Sequence, residues 1–234
     1  MKLGIIGAMD LETELLKGKM DSSTVTEMAG MSFYAGAIDG LDVVVVTCGI
    51  GKVNAAVCTQ ILASHFDVNA IVNTGVSGAI HSDLNVGDIV ISTDCMQHDF
   101  DCTGFGYEPG IIPRMDTSVF KADEKLIGLA YDSTVEKVKT HKVFKGRIVS
   151  GDQFVASMEK KDYIEKVFAA HTTEMEGASI AQVCHLNKIP FVIIRAMSDK
   201  ADGSAHVSFD EFATEAANNS SQIILSIIEQ LKAE

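Results

Sequence analysis

Apolar and polar positions alternate along this chain in two distinct periods. Residues 3–6, 43–46 and 191–194 are continuous apolar runs rich in β-branched side chains, a pattern typical of strands buried on both faces of a sheet. Residues 123–138 and 158–170 instead repeat apolar side chains at helical spacing. Strands that alternate with helices predict an α/β fold with a central mixed, twisted β-sheet flanked by helices.

Turn and cap signals predict most of the remaining elements. Asp39-Gly40 separates two strand-like runs and is typical of a hairpin turn. Ser208 and Glu211 have capping-box spacing, which predicts that the last helix opens there. Further strands are predicted over residues 33–38, 42–47, 70–73 and 86–92, and from residue 146 to the Ser-Gly-Asp at 150–152.

Acidic side chains follow several of the predicted strands. The apolar run from residue 191 ends in Ser198-Asp199, Glu12 follows the first strand, and Glu176 lies one helix upstream of Asp199. Ligands bind at the carboxyl ends of strands in open α/β sheets, because the loops leave a crevice there. We therefore expect these carboxylates to converge on one pocket with an apolar floor.

Each of these residues also has an ordinary structural interpretation. Glu176 fits a capping box, three residues after Thr173, and Asp199 could cap the next turn. Glu12 lies in a first helical turn, where acids favour the helix dipole. Phe154, just past a strand end, could stack on a flat base or simply fill the core.

Glycines mark two further strand ends. Cys48 to Asn54 opens a helix, but Asn54 stands where the third glycine of a dinucleotide-binding fingerprint would be. A tight turn that lines a pocket is the better interpretation of this segment. Gly75 and Gly78 follow the strand at residues 70–73 and are expected to let the backbone approach a ligand closely.

His98, Asp99 and Asp101 form a short cluster of potential metal ligands. No further His or Cys falls at a spacing that would complete a metal site. A hydrogen-bonded strand end is therefore favoured, and the sequence predicts neither a metal nor a cofactor.

Composition restricts the classes of partner. A formal charge of −13 without a clustered basic face would repel nucleic acids and anionic membranes, whereas a small neutral substrate is compatible. The 234 residues contain no linker-like tract, so we expect one domain over residues 1–234. No apolar run approaches the ~18 residues of a membrane span. Five scattered cysteines suit a reducing cytoplasm.

Eight ordered segments together resemble the methylthioadenosine/S-adenosylhomocysteine nucleosidases of the nucleoside phosphorylase superfamily. The resemblance extends over nearly the whole chain, so it is far more specific than any single motif. The segments are residues 4–9 with Glu12, 48–53, 73–75, 86–88, 98–99 with 105–107, 150–152, 174–176 and 195–199.

The resemblance implies an N-glycosidic hydrolase that releases adenine as part of methionine salvage. In this family pattern Glu12 is the general base that activates water, and Asp199 is the acid that protonates adenine N7. Glu176 holds the ribose hydroxyls, and we expect Glu12 and Glu176 to be ionised while Asp199 has a raised pKa. The other implied roles are Met175 beneath the sugar, Phe154 stacked on adenine, the Val155 backbone at the adenine edge, and Arg195 and Ser198 supporting the two catalytic carboxyls.

The resemblance also implies a homodimer with pocket residues shared between subunits. The implied 5′-alkylthio pocket comprises Met9, Ile50, Phe105, Tyr107, Pro113 and Phe209, and Val76 and Gly78 are expected to contact the ligand as well. Cys48, Val76, Cys102 and Pro109 depart from the commoner family pattern. These departures bear on the placement of water and on the preference for the 5′ group.

Three other functions are compatible with the same fold. A phosphorolytic purine nucleoside phosphorylase would need phosphate donors where this chain has the acidic Glu12. A hydrolase acting on futalosine-like or deoxyadenosine nucleosides would share the carboxylates. A nucleoside-binding protein without activity would have no need of Glu12, Glu176 and Asp199 together.

Overall fold

The computed structural model describes the backbone of residues 1–233 and their side chains except those of 206, 207, 210 and 233. The strands are β1 (Lys2–Gly7), β2 (Ser23–Met28), β3 (Met31–Ile38), β4 (Leu41–Thr47), β5 (Ala70–Ala79), β6 (Ile89–Gln97), β7 (Phe120–Lys121), β8 (Val143–Ser150), β9 (Thr172–Glu174) and β10 (Phe191–Asp199). The helices are α1 (Asp10–Gly18), α2 (Lys52–Ser64), α3 (Glu124–Lys137), α4 (Met158–Phe168), α5 (Gly177–Asn187) and α6 (Ala205–Ala233), with a 3₁₀ turn at Thr103–Phe105.

The strands form one mixed sheet in the order β10-β6-β8-β9-β5-β1-β4-β3-β2, with β7 paired to β6. Strands β4, β1, β5 and β10 run parallel to one another. Because β10 pairs with β5 as well as with β6, the strands β5, β10, β6, β8 and β9 close into a ring. The mixed central sheet flanked by helices confirms the predicted fold class.

The central strands are buried because their side chains are apolar on both faces. Every residue of β5 and of β10 is buried, and so are five of the six residues of β1. The hairpin predicted at Asp39-Gly40 is confirmed: it joins β3 to β4, and both of its residues have positive φ, 50° and 82°. The parallel strands therefore deliver residues 7, 47, 79 and 199 to one edge of the sheet.

Three strands were not predicted. The side chains of β2 are mostly exposed, and β7 has only two residues, so neither has the apolar run that marks a buried strand. The polar Thr-Thr-Glu of β9 forms a strand because it lies between β8 and β5, which satisfy its backbone. A three-residue polar segment has no local signal for that environment.

The predicted start of the last helix is wrong by three residues. Helix α6 begins at Ala205, and the Ser208 amide already donates to the Ser204 carbonyl inside it. Asp202 provides the start, since its carboxylate accepts hydrogen bonds from the Ser204 amide and hydroxyl. Among the helices of the described part of the chain, none has the length and apolar character needed to cross a membrane.

Candidate active site

A cavity of about 430 Å³ opens at the carboxyl edge of the parallel strands. Its wall is mainly apolar, with carboxyl groups from separate segments of the chain, and it includes most of the residues predicted to bind a ligand. These are Met9, Glu12, Ile50, Val76, Gly78, Phe154, Val155, Met175, Glu176, Ser198, Asp199 and Phe209.

Four predicted residues lie outside this cavity. Arg195 is 2% exposed and lies beneath the cavity rather than on its wall, because β10 is buried on both faces at this point. Phe105 is 86% exposed, Tyr107 is exposed and Pro113 is half-buried. None of these last three residues lines the cavity of its own chain.

The Glu12 carboxylate is held at the cavity wall by three backbone amides. Oε2 accepts hydrogen bonds from the amides of Ala8 (2.7 Å) and Met9 (3.0 Å), and Oε1 accepts one from Val76 (3.0 Å) on β5. The helix-start interpretation is therefore correct in part, but the carboxylate also bridges to a second strand. Burial raises the pKa of Glu12, against the positive charge of Arg195 and the three amides.

Glu174, rather than Glu176, caps the start of α5. The Glu174 Oε2 atom accepts hydrogen bonds from the amides of Glu176 (3.1 Å) and Gly177 (2.7 Å), so the predicted capping box with Thr173 does not form. The Glu176 carboxylate is thereby available for the cavity. Its Oε1 atom accepts a hydrogen bond from the Gly51 amide at 2.8 Å.

Arg195 provides the buried positive charge beneath these acids. Its Nη2 atom donates to Glu174 Oε2 at 2.5 Å and to Asn73 Oδ1 at 2.6 Å, and Nη1 donates to the Ile194 carbonyl. Burial alone would lower the pKa of Arg195, but Glu174, Glu12 and Glu176 raise it, so the guanidinium stays charged. Arg195 thus supports Glu12 through its charge and is not placed to contact a ligand.

Asp199 is the last residue of β10 and lines the same cavity. Its Oδ1 atom accepts the Ala201 amide at 2.8 Å, as the turn-capping interpretation requires, and Oδ2 accepts the Ser198 hydroxyl at 2.8 Å. Burial raises the pKa of Asp199, while these two hydrogen bonds act to lower it. The raised pKa agrees with the expectation for a proton donor in an apolar setting.

The pKa of Glu176 does not agree with the expectation that this residue is ionised. Burial and the neighbouring charge of Glu174 raise the pKa of Glu176 to about 8, against the effect of Arg195 and the Gly51 amide. The protonated form is therefore favoured at neutral pH. The single positive charge of Arg195 compensates only in part for the cost of burying three ionised carboxyl groups.

Gly75 and Gly78 make room for the carboxylates as well as for a ligand. A Cβ atom at Gly75 would lie 2.4 Å from Glu12 Oε1, and one at Gly78 would lie 2.8 Å from Asp199 Oδ1. The sequence interpretation assigned both glycines to close approach of a ligand. In the structure Gly78 lines the cavity, whereas Gly75 permits Glu12 to rest against β5.

An apolar, aromatic face lies next to Asp199. Phe154 meets Phe209 edge to face, with ring centroids 6.1 Å apart and planes at 88°, and both rings line the cavity. Val155 is buried beside them, and Met175 precedes Glu176 on the wall. Such a face suits a flat heterocycle, which stacks on aromatic side chains.

Of the potential metal ligands at residues 98–101, Asp99 is already hydrogen-bonded and His98 is buried. Asp99 accepts hydrogen bonds from Lys52 Nζ and the Asp152 amide, and burial lowers the pKa of His98 to about 4, which leaves its imidazole neutral. Among the side chains that the structure describes, no three of His, Cys, Asp or Glu are grouped as a metal site would require. The hydrogen-bonded strand end is the better description of Asp99.

Five wall residues were not predicted: Ala8, Ser77, Gln153, Thr173 and Glu174. Glu174 could have been noticed in the sequence, because it begins the Glu-Met-Glu segment. Its role nevertheless depends on a hydrogen bond from Arg195, 21 residues away. Ser77 and Thr173 come from paired strands β5 and β9. Nothing in the local sequence distinguishes them from other buried hydroxyl residues.

The arrangement combines a proton donor, a potential base and an apolar base-binding face in one cavity. An acid with a raised pKa can protonate a departing heterocycle, and a buried carboxylate with several amide partners can orient and deprotonate water. Among the described residues of the wall there is no Lys or Arg. This chemistry fits cleavage of a glycosidic bond by water.

The comparisons with known proteins point to one family. The family model of the phosphorylase superfamily matches residues 2–229. A 5′-methylthioadenosine/S-adenosylhomocysteine nucleosidase from Bacillus thuringiensis (strain Al Hakam) is 42% identical over 236 residues, which cover 99% of this chain and 100% of the relative.

Solved structures give the same result. A 5′-methylthioadenosine/S-adenosylhomocysteine nucleosidase from Colwellia psychrerythraea 34H, in complex with adenine, superposes with a TM-score of 0.94 at 42% identity, covering 99% of this chain and 96% of that one. Futalosine hydrolase of Helicobacter pylori strain 26695 has a TM-score of 0.93 at 32% identity, with 98% and 97% covered. The fold thus extends to both hydrolases, and the nucleosidase sequence is the more similar.

The position of Arg195 predicts a large loss of stability when its charge is removed. In Arg195→Met the side chain keeps its approximate volume, but Glu174 remains buried without its cation. We expect the free energy of unfolding to fall by about 3–5 kcal/mol, measured by urea denaturation.

Arg147→Met is the matched control, because Arg147 pairs with Asp94 nearer the surface. We expect the free energy of unfolding of that variant to fall by only ~1 kcal/mol. Equal losses in the two variants would contradict a special role for the buried pair.

Proposed function

The chain belongs to the phosphorylase superfamily and, within it, to the methylthioadenosine/S-adenosylhomocysteine nucleosidases, and we propose that it hydrolyses the N-glycosidic bond of these two nucleosides. The products are adenine and the 5′-substituted ribose. The observation that carries the proposal is one cavity with Asp199, Glu12 and Glu176 around an apolar wall. No separate cofactor is needed for this reaction.

Asp199 supplies the proton to the leaving group. Cleavage of the N-glycosidic bond leaves negative charge on the purine, and a proton on N7 neutralises it. The raised pKa keeps Asp199 protonated to a higher pH than a surface Asp. The Ser198 hydroxyl bonds to Oδ2 and holds the carboxyl in place.

Glu12 activates the water that attacks the anomeric carbon. Its raised pKa makes the ionised form a stronger base than an exposed Glu. The water approaches the ring face opposite to the departing adenine, as in inverting glycoside hydrolysis. The amides of Ala8, Met9 and Val76 hold the carboxylate during this step.

Glu176 binds the ribose hydroxyls, with Met175 packed beneath the sugar. The reactive form is the enzyme in which Glu176 has already lost its proton to solvent, because the sugar becomes cationic in the transition state and stabilises the ionised carboxylate, whose pKa is otherwise raised to about 8. The carboxylate then interacts more strongly with the transition state than with the ground state, the condition for catalysis. Phe154 stacks on adenine, the Val155 backbone reads its edge, and Phe209 supports the stack.

A second copy of the chain completes the 5′ side of the pocket. Ile50 lies on the cavity wall and is 56% exposed, and Val53 and Val57 extend an exposed apolar stripe along α2. Phe105 and Tyr107 are exposed and do not line their own cavity, so they are available to enter the cavity of the partner across this stripe. A homodimer would bury both surfaces and enclose the alkylthio group.

Water is favoured over phosphate as the nucleophile. Phosphate needs cationic or backbone donors, and among the described wall residues the ionisable groups are the carboxyls of Glu12, Glu174, Glu176 and Asp199, with no cation beside them. Phosphate would be repelled there. A futalosine-type hydrolase is the second candidate, because the Helicobacter pylori enzyme of that name shares the fold.

A phosphate-free assay tests the reaction class. With methylthioadenosine, EDTA and no phosphate, we expect free adenine and methylthioribose by chromatography. Adenine release that requires phosphate would contradict hydrolysis. Faster cleavage of futalosine than of methylthioadenosine would favour the second candidate, and binding of adenosine analogues without cleavage would indicate a binding protein.

Removal of either catalytic carboxyl should abolish most activity with little effect on folding. We expect Asp199→Asn and Glu12→Gln each to lower kcat by about 10²- to 10⁴-fold, because the acid or the base is lost while the shape is kept. Adenine release measures the rate, and circular dichroism checks the fold. Near wild-type turnover in either variant would refute the role of that residue.

The homodimer is tested on the α2 stripe. Val53→Glu/Val57→Glu places two charges on the proposed interface, so we expect a monomer by analytical ultracentrifugation and at least a roughly 10-fold lower kcat/KM for methylthioadenosine. Val135→Glu, on α3 with similar exposure to Val57, is the matched control and should remain dimeric. A double variant that stays dimeric would place the interface elsewhere.

A further inference from the structure

Three charged residues from separate parts of the chain form one cluster beside the cavity. Lys52 Nζ donates to Asp99 Oδ1 at 2.7 Å, the Lys52 amide donates to Asp152 Oδ1 at 2.8 Å, and the Asp152 amide donates to Asp99 Oδ2 at 2.9 Å. We call these three residues the Lys52 clamp. None of them lines the cavity, so the mechanism above does not use them.

The Lys52–Asp99 ion pair of the clamp is largely shielded from solvent, whereas Asp152 is exposed. The side chains of Lys52 and Asp99 are 18% and 13% exposed. Burial acts to raise the pKa of Asp99, but the hydrogen bonds from Lys52 and the Asp152 amide hold it below its usual value. Lys52 Nζ also donates to Gln97 Oε1 at 3.0 Å, and the Ser179 hydroxyl on α5 donates to the Lys52 carbonyl. The clamp therefore ties α2 to β6, to the loop after β8 and to α5.

The turn between β4 and α2 connects the clamp to the ribose-binding carboxylate. The Lys52 amide is held by Asp152 on the outside, and the preceding amide, Gly51, donates to Glu176 Oε1 on the inside. Gly51 has φ of 99°, and a Cβ atom there would lie 3.1 Å from Asp152 Oδ1. The backbone at Gly51 is thus fixed by Asp152 on one side and points its N–H at Glu176 on the other.

Among the described residues, the Gly51 amide is the hydrogen-bond donor to the Glu176 carboxylate. The orientation of the Glu176 carboxylate on the cavity wall consequently depends on where Gly51 lies. A shift of the turn by a fraction of an ångström would rotate or release the carboxylate, and small misplacements of positioning groups have large effects on rate.

We propose that the Lys52 clamp is a positioning unit that holds the Gly51 amide on Glu176 and thereby orients this carboxylate toward the ribose hydroxyls. The proposal rests on the role of Glu176 in the proposed function. The clamp residues contact neither the sugar nor adenine. They act on the sugar through Gly51 and Glu176.

The proposal is tested by combining clamp variants with substrates that lack one ribose hydroxyl. Lys52→Met removes the charge, and Lys52→Arg retains it. Lys17→Met is the matched control, because the Lys17 side chain is 19% exposed and also bonds a strand-end residue, Thr47. For each variant, kcat and KM are measured on methylthioadenosine and on its 2′-deoxy and 3′-deoxy counterparts. Inhibition by adenine, which has no ribose, reports on the base site.

We expect Lys52→Met to lower kcat/KM for methylthioadenosine roughly 10- to 100-fold. For at least one deoxy substrate, Lys52→Met should lower kcat/KM by less than about 3-fold, because the hydroxyl that Glu176 holds is already absent from that substrate. Adenine inhibition should be unchanged, Lys52→Arg should restore much of the activity, and Lys17→Met should remain within about twofold of wild type.

Equal losses on all three nucleosides, or weaker adenine inhibition in parallel, would overturn the proposal by showing a general structural defect. Unchanged kinetics in Lys52→Met would overturn it as well. If Lys52→Met does not fold, Asp99→Asn replaces it with the same expected pattern. Wild-type protein that releases no adenine would refute the proposed function itself, and that result is obtained before any variant is made.

Discussion

One buried cation beneath three carboxyl groups is the constraint on which this site depends. Arg195 bonds directly to Glu174 and attracts Glu12 and Glu176 through its charge. Glu174 in turn caps α5 and so releases the Glu176 carboxylate from any capping role. Removing charges from water is costly, and a single guanidinium compensates only part of that cost. The raised pKa values of Glu12 and Glu176 are the result of this imbalance.

The same imbalance suits the chemistry of N-glycoside hydrolysis. A positive charge develops on the sugar as the glycosidic bond breaks, and Arg195 compensates the charge of Glu12 and Glu176 only in part. The attraction between these carboxylates and the sugar therefore strengthens as the reaction proceeds. Asp199 is separate from this group, with its own amide and hydroxyl partners at the end of β10. The proposed base, Glu12, and the proposed acid, Asp199, are therefore held by different hydrogen-bond networks, which allows their ionisation states to differ within one cavity.

The backbone around the cavity holds these side chains in place. Glu12 and Asp199 rest against Gly75 and Gly78 of β5, where any larger residue would collide with a carboxylate oxygen. Glu176 rests on the amide of Gly51, whose own position is set by the Lys52 clamp outside the cavity. Buried strands, glycines and short ion pairs together give the rigid support that positioned catalytic groups require.

The sequence alone determined most of the elements, because apolar runs mark buried strands, and it placed the catalytic carboxyls at the edge where ligands bind, because acids follow the carboxyl ends of those strands. The other predicted residues of the cavity wall came from the resemblance to the nucleosidase family. The sequence also predicted the raised pKa of Asp199 from its apolar surroundings. Only the tertiary structure decided that Glu174 rather than Glu176 caps α5, that Arg195 lies beneath the cavity, and that the β9 segment is a strand. These features depend on partners far away in the chain, such as the 125 residues between Gly51 and Glu176, and local patterns hold no information about such pairings.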